Sequence, residues 1–343
     1  MQYPRVLTIA GSDSGGGAGI QADIKAISAT GSYAASAITA VTVQNTLGVE
    51  GVHPVPPETI AAQIRCVLSD IGANAVKIGM LHSAEVVLSV RDALSEAIKE
   101  GWLTPAQGTT AQTTDAGIAP APETTAGAET APAQGTTAQT TGAGTAPALG
   151  TTAGAGTAPS PGTTAGAAPA PAGRVNIVLD PVMVSTSGHR LIEDSAIEVL
   201  SRELIPMARI ITPNLPEAEV LAGCSITSAE EFPDIARRLS CGGRVSVLMK
   251  AGHQCGGDVT DIFYNAETDS IKRFTHPRLD TPNTHGTGCT LSSALASYLA
   301  QGLSPDDAVE AAIAYISAAI ESGAAYTIGH GHGPVNHFWN NKR

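Results

Sequence analysis

The chain has 343 residues, a formal net charge of −12 and five widely spaced cysteines with no Cys-x-x-Cys pair. The negative charge argues against a nucleic-acid partner, and the cysteine pattern predicts reduced thiols rather than a disulfide framework. The first apolar run, Val6 to Ala10, is too short for the core of a signal peptide, and no run approaches the roughly 18 residues of a membrane helix. We therefore expect a cytoplasmic protein that does not contact membranes.

The first part of the chain alternates between strand-like and helix-like patterns. Runs of β-branched and apolar residues predict strands, and apolar residues at helical spacing predict helices. In chain order the predicted elements are a strand over Val6 to Ala10, a helix over Ile20 to Thr30, a strand over Ile38 to Val43, a helix from Pro56 and Pro57 to Ile71, a strand over Ala75 to Ile78 and a helix over Ala84 to Lys99.

Residues 104–172 form a low-complexity stretch of Thr, Ala, Gly, Pro and Gln, with no aromatic residue. Because this composition cannot bury a core, we predict a disordered insertion in a single domain formed by residues 1–103 and 173–343. It lies between a helix and the next strand, which is a connection at the amino ends of the strands, whereas ligands bind at the carboxyl ends. We interpret it as an inert spacer; a glycosylated stalk and a partner-docking segment are the alternatives.

The alternation of strands and helices resumes after the insertion. The predicted elements are strands over Val175 to Leu179, Arg209 to Thr212 and Val245 to Met249, a helix near Ser195 to Leu204, and two long helices near Thr290 to Gln301 and Pro305 to Gly323. Strands that alternate with helices on this scale predict an α/β fold with a mostly parallel central sheet and helices on both faces.

A glycine-rich loop, Gly11 to Gly19, follows the first predicted strand. Glycines let the backbone approach a ligand closely. The loop matches neither the dinucleotide fingerprint, because Ile20 stands where the third glycine is needed, nor the P-loop, because no lysine follows Gly16. A tight strand-to-helix turn is therefore the alternative interpretation of this loop. For Asp23, in the next helix, a solvated or capping carboxylate is the ordinary interpretation.

A second glycine-rich motif, His285 to Thr290, opens a predicted helix. Backbone amides and the helix dipole converge there, so we predict an anion hole at Gly286 and Gly288 for a migrating phosphoryl group. The same field is expected to lower the pKa of the Cys289 thiol. A buried structural cysteine is the alternative.

Polar residues follow three other predicted strands, where ligands of parallel sheets bind. They are Asp180, Asn214 with Glu217, and Lys250. Two carboxylates, an amide and a lysine suit hydrated magnesium and nucleotide phosphates. Each alone could be a helix cap or a salt-bridge partner, but together with an anion hole they favour phosphoryl transfer.

Seven strings support a family resemblance. They are AGSDSGGGAGIQADIKA, AVTVQNT, KIGML, DPVM, TPNLPEAE, THGTGCTLSSA and GHGHGPVNH. In this order they resemble the hydroxymethylpyrimidine/phosphomethylpyrimidine kinase branch of the ribokinase-like superfamily, which acts in thiamine biosynthesis. The resemblance implies a three-layer sandwich, ATP, Mg²⁺, a homodimer and two successive phosphorylations. The acceptors would be the hydroxymethyl group of an aminopyrimidine and then the phosphate so formed.

The resemblance also implies a role for each motif residue. Gln44 would read the aminopyrimidine, since one amide can both donate and accept a hydrogen bond. Gly11, Asp23 and Met80 would complete the substrate pocket, and Cys289 would be the base. The remaining residues would serve the nucleotide: Lys250, Thr287 and Asn214 would bind ATP, and Asp180 and Glu217, with Asn214, would organise magnesium.

Two other functions remain open from the sequence. A pyridoxal or pyridoxine kinase would present a similar hydroxymethyl group to the same machinery, although Gln44 and Met80 favour the pyrimidine. A catalytically silent vitamin-binding regulator is the alternative from another class. His330, His332 and His337 could suggest zinc, but we favour a glycine-rich terminal loop packed near the nucleotide.

Overall fold

The computed structural model describes residues 3–104, 174–185, 188–250 and 257–340. Apart from Thr104, the predicted disordered insertion lies outside the described residues. Its disorder and its role as a spacer therefore stay predictions.

One sheet of nine strands organises the described residues, in the order β3-β2-β1-β4-β5-β6-β7-β8-β9. The strands are β1 Arg5–Ser12, β2 Tyr33–Gln44, β3 Val49–Pro54, β4 Ala75–Ile78, β5 Asn176–Leu179, β6 Ile210–Ile211, β7 Ser246–Met249, β8 Asp258–Asn265 and β9 Ser270–Pro277. Six neighbouring strands pair in parallel, in the order β2, β1, β4, β5, β6 and β7. The other three, β3 at one edge and β8 and β9 at the other, pair antiparallel. The mostly parallel sheet predicted from the sequence is confirmed.

Helices cover both faces of the sheet. They are α1 Gly19–Ala29, α2 Pro57–Asp70, α3 Ala84–Lys99, α4 Asp194–Val199, α5 Leu215–Ala222, α6 Phe232–Leu239, α7 Thr287–Ala300 and α8 Pro305–Gly323. A π-helical turn, Leu200–Leu204, continues α4 and completes the helix predicted there.

Two apolar clusters form the core, one on each face of the sheet. In β4, Val76 and Ile78 pack with α2 to α6, whereas Ala75 packs with α1, α7 and α8. This division follows from the alternation of side chains along a strand. All four residues of β4, β5 and β7 are buried, which explains why the short central strands are almost wholly apolar. The three-layer sandwich is confirmed.

The parallel strands direct all their carboxyl ends to one edge of the sheet, and the described residues on either side of the insertion lie at the opposite edge. Leu103, before the insertion, pairs with Ala73 at the amino end of β4, and Asn176, after it, pairs with Ala75. The break in the fold thus lies at the far side of the strands from their carboxyl ends.

No helix in the described part of the chain is both long enough and apolar enough to span a membrane.

Candidate functional site

A cavity of about 1020 Å³ opens at the carboxyl ends of the parallel strands. Eleven of the twelve residues predicted for the site line it: Gly11, Gln44, Met80, Asp180, Asn214, Glu217, Lys250, Gly286, Thr287, Gly288 and Cys289. They come from the ends of six strands, β1, β2, β4, β5, β6 and β7, and from the start of α7. The sheet topology therefore collects into one pocket residues that are as much as 278 positions apart, Gly11 and Cys289.

Asp13 organises the glycine-rich loop. Its carboxylate is 2% exposed and accepts hydrogen bonds from the backbone N–H groups of Gly15, Gly17 and Ala18 at 2.8, 3.0 and 2.7 Å. Oδ2 also lies 3.0 Å from Nε2 of His285. Burial raises the pKa of Asp13, but the bonds from His285 and the loop amides outweigh this effect, and the pKa lies below its usual value. An ionised Asp13 thus fixes the loop.

The two glycine-rich loops touch. A Cβ atom at Gly286 would lie 1.8 Å from the carbonyl oxygen of Gly17, and Gly286 has a φ of +81°. A Cβ atom at Gly17 would lie 2.4 Å from Cδ2 of His285. Only glycine fits at these two positions, because any side chain would push the loops apart.

Helix α7 directs its amino end into the cavity. It begins at Thr287 with Gly286 as its N-cap, and no side chain among the described residues caps it. The amides of a first helical turn have no partner within the helix, and the helix dipole adds partial positive charge there. The predicted anion hole thus lies at a helix start that opens into the cavity, and phosphoryl binding there stays a prediction.

Asp180 and Lys250 form an ion pair beside this helix. Nζ of Lys250 donates to Oδ1 of Asp180 at 2.8 Å, and Thr212 Oγ1 donates to the same oxygen at 2.9 Å. A Cβ atom at Gly288 would lie 3.4 Å from Nζ of Lys250 and 3.5 Å from Oδ2 of Asp180. Burial raises the pKa of Asp180, but the charges of Lys250 and Lys77 outweigh it and keep the group ionised.

Glu217 and Asn214 share a capping box at the start of α5. The Asn214 side chain accepts from the Glu217 N–H at 2.9 Å, and Oε2 of Glu217 accepts from the Asn214 N–H at 2.8 Å. Burial raises the pKa of Glu217 to about 7, because the charge of Lys250 offsets only part of that cost and the charge of Asp180 adds to it. A second positive charge in the cavity would favour the ionised form of Glu217.

Gln44, Gly11 and Met80 lie at the other end of the cavity, at the carboxyl ends of β2, β1 and β4. A Cβ atom at Gly11 would lie 2.8 Å from Cε of Met80, so glycine makes room for the methionine. Oε1 of Gln44 is 3.3 Å from Thr42 Oγ1, and Nε2 is 3.4 Å from Nε2 of His285. Both contacts are long, which leaves the amide able to bond a ligand.

The sequence model described as phosphomethylpyrimidine kinase matches residues 13–103 and 165–336. A hydroxymethylpyrimidine/phosphomethylpyrimidine kinase from Rhizobium meliloti is 37% identical over 333 residues, which cover 97% of this chain and 96% of the relative. The chain belongs to the phosphomethylpyrimidine kinase family. The thiamine biosynthesis bifunctional protein ThiED from Geobacter sulfurreducens is 39% identical, and the chain spans 53% of its length.

Solved structures agree with this family and fold. A phosphomethylpyrimidine kinase from Clostridium difficile is 33% identical, with a TM-score of 0.63, and the match covers 93% of this chain and 100% of that one. A pyridoxal kinase from Staphylococcus aureus in complex with AMP-PCP and pyridoxal is 25% identical, with a TM-score of 0.70, over 100% and 96% of the two chains. The kinase function and the ribokinase-like fold predicted from the sequence are confirmed.

The sequence predicted a lowered pKa for the Cys289 thiol of this kinase, and that prediction was wrong in sign. Burial raises its pKa to about 11, because the charge of Lys77 offsets only part of that cost and the carboxylates of Asp23 and Asp180 add to it. The dipole of α7 does not overcome these effects. The thiol is therefore protonated at neutral pH in the protein without ligands.

Asp23 is the one predicted site residue that does not line the kinase's cavity. It is fully buried, and its carboxylate accepts hydrogen bonds from Thr8, Lys77 and Ser293. The sequence-based role of contacting substrate does not suit this position, because all of these bonds are internal. Lys77 itself lines the cavity and was missed. Its signal is a lysine inside a four-residue buried strand.

The three C-terminal histidines do not gather. The N–H groups of His330 and His332 bond to Thr46, two residues after Gln44, and His337 Nε2 lies 3.0 Å from Thr290 Oγ1. No group of three metal-binding side chains occurs in the described part of the kinase. The terminal segment packs against Thr46 beside Gln44 and against His285 and Thr290 at the start of α7, and its expected place near the nucleotide stays a prediction.

Proposed function

We propose that this kinase transfers the γ-phosphoryl group of ATP to the hydroxymethyl group of 4-amino-5-hydroxymethyl-2-methylpyrimidine, and then to the monophosphate, yielding the diphosphate. The observation that carries the proposal is the single cavity with an amide and a methionine at one end and an anion hole with a lysine and two carboxylates at the other. Both ends are needed to hold a flat heterocyclic alcohol in line with a nucleotide phosphate.

Gln44 selects the ring. Its carbonyl oxygen accepts from the exocyclic amino group while its NH₂ group donates to the neighbouring ring nitrogen. The hydrogen bond between Asp13 and His285 supports this orientation: a His285 that donates Nε2–H to Asp13 cannot accept from Gln44 through the same nitrogen, so the amide NH₂ stays available. Met80 and Gly11 supply an apolar wall against the ring face.

Lys250 and the first turn of α7, from Thr287 to Cys289, bind the ATP phosphates. Negative charge develops on the transferred group, and preorganised amides next to a buried lysine stabilise it without rearranging. The ion pair with Asp180 holds Nζ of Lys250 beside Gly288. Asn214, which caps α5 at the same edge, positions Lys250 through the backbone pairing between the two residues.

The residues present fit Mg²⁺. Asp180 and Glu217 offer hard carboxylate oxygens, the kind of donor that Mg²⁺ prefers, and two protein ligands suffice because phosphates and water complete its coordination. The raised pKa of Glu217 indicates a carboxylate lacking a full counter-charge. Asp180 and Glu217 would hold the ion, which would neutralise charge on the ATP phosphates.

Cys289 takes the proton of the alcohol in the first transfer. The thiolate is a minor species at neutral pH, but the proton of an alcohol acceptor leaves late in a loose transition state, so a small thiolate fraction can serve. The second acceptor is a phosphate that is already ionised and needs no base. One site therefore suits both transfers.

A pyridoxal or pyridoxine kinase is the second candidate, because the Staphylococcus aureus pyridoxal kinase shares the fold. A pyridine alcohol has no exocyclic amino group for the Gln44 carbonyl, which disfavours it. The test is product analysis with ATP and each alcohol. Mono- and diphosphate from the pyrimidine support the proposal; phosphorylation of pyridoxine alone would overturn it, and no turnover would indicate a silent binding protein.

We also propose that the kinase is a cytoplasmic homodimer. The outer side of the β2–β3 hairpin carries an apolar patch, with Val41, Val43 and Leu47 exposed by 49%, 46% and 66%. Light scattering should give twice the chain mass for the wild type and the chain mass for Val43→Lys. Ile98→Lys, on α3, is the matched control and should stay dimeric; a monomeric wild type would refute the dimer.

A further inference from the structure

A complete ion pair is buried beneath the cavity. Lys77 and Asp23 have fully buried side chains, and Nζ of Lys77 lies 2.8 and 2.9 Å from the two carboxylate oxygens of Asp23. Lys77 stands in β4, where the other three residues, Ala75, Val76 and Ile78, are apolar and buried. Because removing two charges from water is costly, such a pair adds little stability compared with apolar residues of the same size. Its presence points to a use other than stability.

The surrounding contacts hold the pair in place. The Asp23 carboxylate also accepts from Thr8 Oγ1 at 2.7 Å and from Ser293 Oγ at 2.8 Å. Burial lowers the pKa of Lys77, but the negative charge of Asp23 above all, together with that of Asp180, outweighs it and holds the pKa above its usual value. Lys77 therefore carries a permanent ammonium group.

The ammonium group lies between the two working parts of the cavity. A Cβ atom at Gly79 would lie 2.8 Å from Nζ of Lys77, and Gly79 directly precedes Met80 of the substrate wall. On the other side, Asp23 bonds to Ser293, one turn after Cys289 on α7. Both Lys77 and Cys289 line the cavity.

The other groups that face the Cys289 thiol are few. Asp23, from α1, and Asp180, at the end of β5, are negative, and the backbone N–H of Gly19 donates to the thiol. Two lysines are positive: Lys77, from β4, whose charge lowers the pKa of the thiol most, and Lys250, at the end of β7, which also interacts with the charge of Cys289. Negative charge on Cys289 thus depends on Lys77 for its main compensation.

We propose that Lys77 is a functional residue of the first transfer, whose ammonium group, held in place by Asp23, stabilises the negative charge on Cys289 from which that residue accepts the alcohol proton. This inference rests on the proposed function. Lys77 acts on the reaction through Cys289, whose negative charge it stabilises. It is therefore a positioning residue and does not bind ATP.

The step balances as follows. The acceptor O–H bond breaks and its proton passes to the Cys289 thiolate, which becomes a thiol and later returns the proton to solvent. The acceptor oxygen forms a bond to the γ-phosphorus of ATP, the bond from that phosphorus to the bridging oxygen breaks, and ADP leaves. Lys77 changes neither its protonation nor its partner.

The test removes both charges together, because a single change would leave a buried charge unpaired. Lys77→Met with Asp23→Asn keeps the side-chain sizes; the amide of Asn keeps an acceptor oxygen for one of the Thr8 and Ser293 hydroxyls and offers its NH₂ group to the other. The matched control is Arg209→Met with Glu267→Gln, which removes a similar pair, 8% and 10% exposed in its side chains, at the amino end of β6.

The first readout is alkylation of Cys289 by iodoacetamide at pH 8.5 in the protein without ligands, followed by peptide mass spectrometry. The double variant should react more slowly, because the charge of Lys77 lowers the pKa of the thiol by more than the charge of Asp23 raises it. The Arg209 and Glu267 control should match the wild type. Asp23→Asn alone removes a negative charge that raises the pKa of the thiol, so it should react faster, which supplies a second test of opposite sign.

The second readout separates the two transfers. The double variant should lose more activity from the alcohol than from its monophosphate, while the control loses equally from both. Unchanged alkylation, or equal losses in the two transfers, would overturn the role of Lys77. A wild type that phosphorylates neither acceptor would overturn the proposed function instead, and the alkylation result would still decide whether Lys77 stabilises the thiolate.

Discussion

Replacing Cys289 by alanine gives the sharpest test of the mechanism, because the structure sets the expected pH dependence. A thiol with a pKa of about 11 has a thiolate fraction of about 10⁻⁴ at pH 7 and about 10⁻² at pH 9. The first transfer should therefore accelerate about tenfold per pH unit across this range. The monophosphate acceptor has a second pKa of about 6 and stays ionised, so the second transfer should not show this slope.

The assay measures both transfers separately between pH 7 and pH 9, with ATP saturating, and takes the ratio of the two rates. Glu217, with a pKa of about 7, serves both transfers, so the ratio cancels its titration. In the wild type the ratio should rise about a hundredfold, and in Cys289→Ala and Cys289→Ser it should stay flat. A flat ratio in the wild type, or an equal slope in the alanine variant, would show that Cys289 shapes the site without accepting a proton.

Three further changes test other parts of the molecule. Gln44→Ala should raise KM for the pyrimidine roughly 5- to 150-fold, since the ring edge loses about 1–3 kcal/mol of hydrogen bonding; steady-state kinetics that show an equal rise in KM for ATP would remove Gln44 from ring recognition. Deleting residues 104–172 behind a short Gly-Ser link should keep activity within about twofold, because the flanks meet the amino end of β4; a folded but inactive variant would assign the insertion a part in catalysis. Glu217 has a folded pKa of about 7, above its unfolded value near 4.5. Its contribution to the free energy of unfolding is therefore fully present below pH 4.5 and falls by on the order of 2–3 kcal/mol by about pH 7. Urea unfolding of Glu217→Gln, whose amide keeps the capping box, should lack this decline; free energies of unfolding that depend on pH in the same way in both proteins would refute the raised pKa.

Hydrophobic pattern alone predicted the parallel part of the fold. Short, mainly apolar runs such as Ala75–Ile78 and Asn176–Leu179 are buried on both faces of the sheet, and a mainly apolar composition is what predicts such strands. The edge elements were missed. Strand β3, Val49–Pro54, is half exposed and interrupted by Gly51, and β9 alternates only weakly in burial. Their stability comes from pairing with β2 and β8, which is tertiary information.

The site could be located from the sequence because strand ends and glycine motifs mark it. Its electrostatics could not, because burial and neighbouring charge decide a pKa and neither is visible in a motif. Cys289 illustrates this: its position at a helix start suggested an acidic thiol, while Asp23 and Asp180, distant in sequence, surround it in the fold. Lys77 was missed for the same reason, since its partner Asp23 lies 54 positions away.

The pairing of Leu103 with Ala73 and of Asn176 with Ala75 also has a practical meaning. The chain leaves the sheet beside Ala73 and re-enters it beside Ala75, two residues further along. Ala75 lies about 13 Å along β4 from the cavity at the carboxyl ends of the strands. This position suits the insertion of another segment: a fluorescent domain or a protease-sensitive linker could replace residues 104–172 without reaching the substrates. The same spot is a natural place to divide the enzyme into two genetically separate halves that reassemble as a reporter.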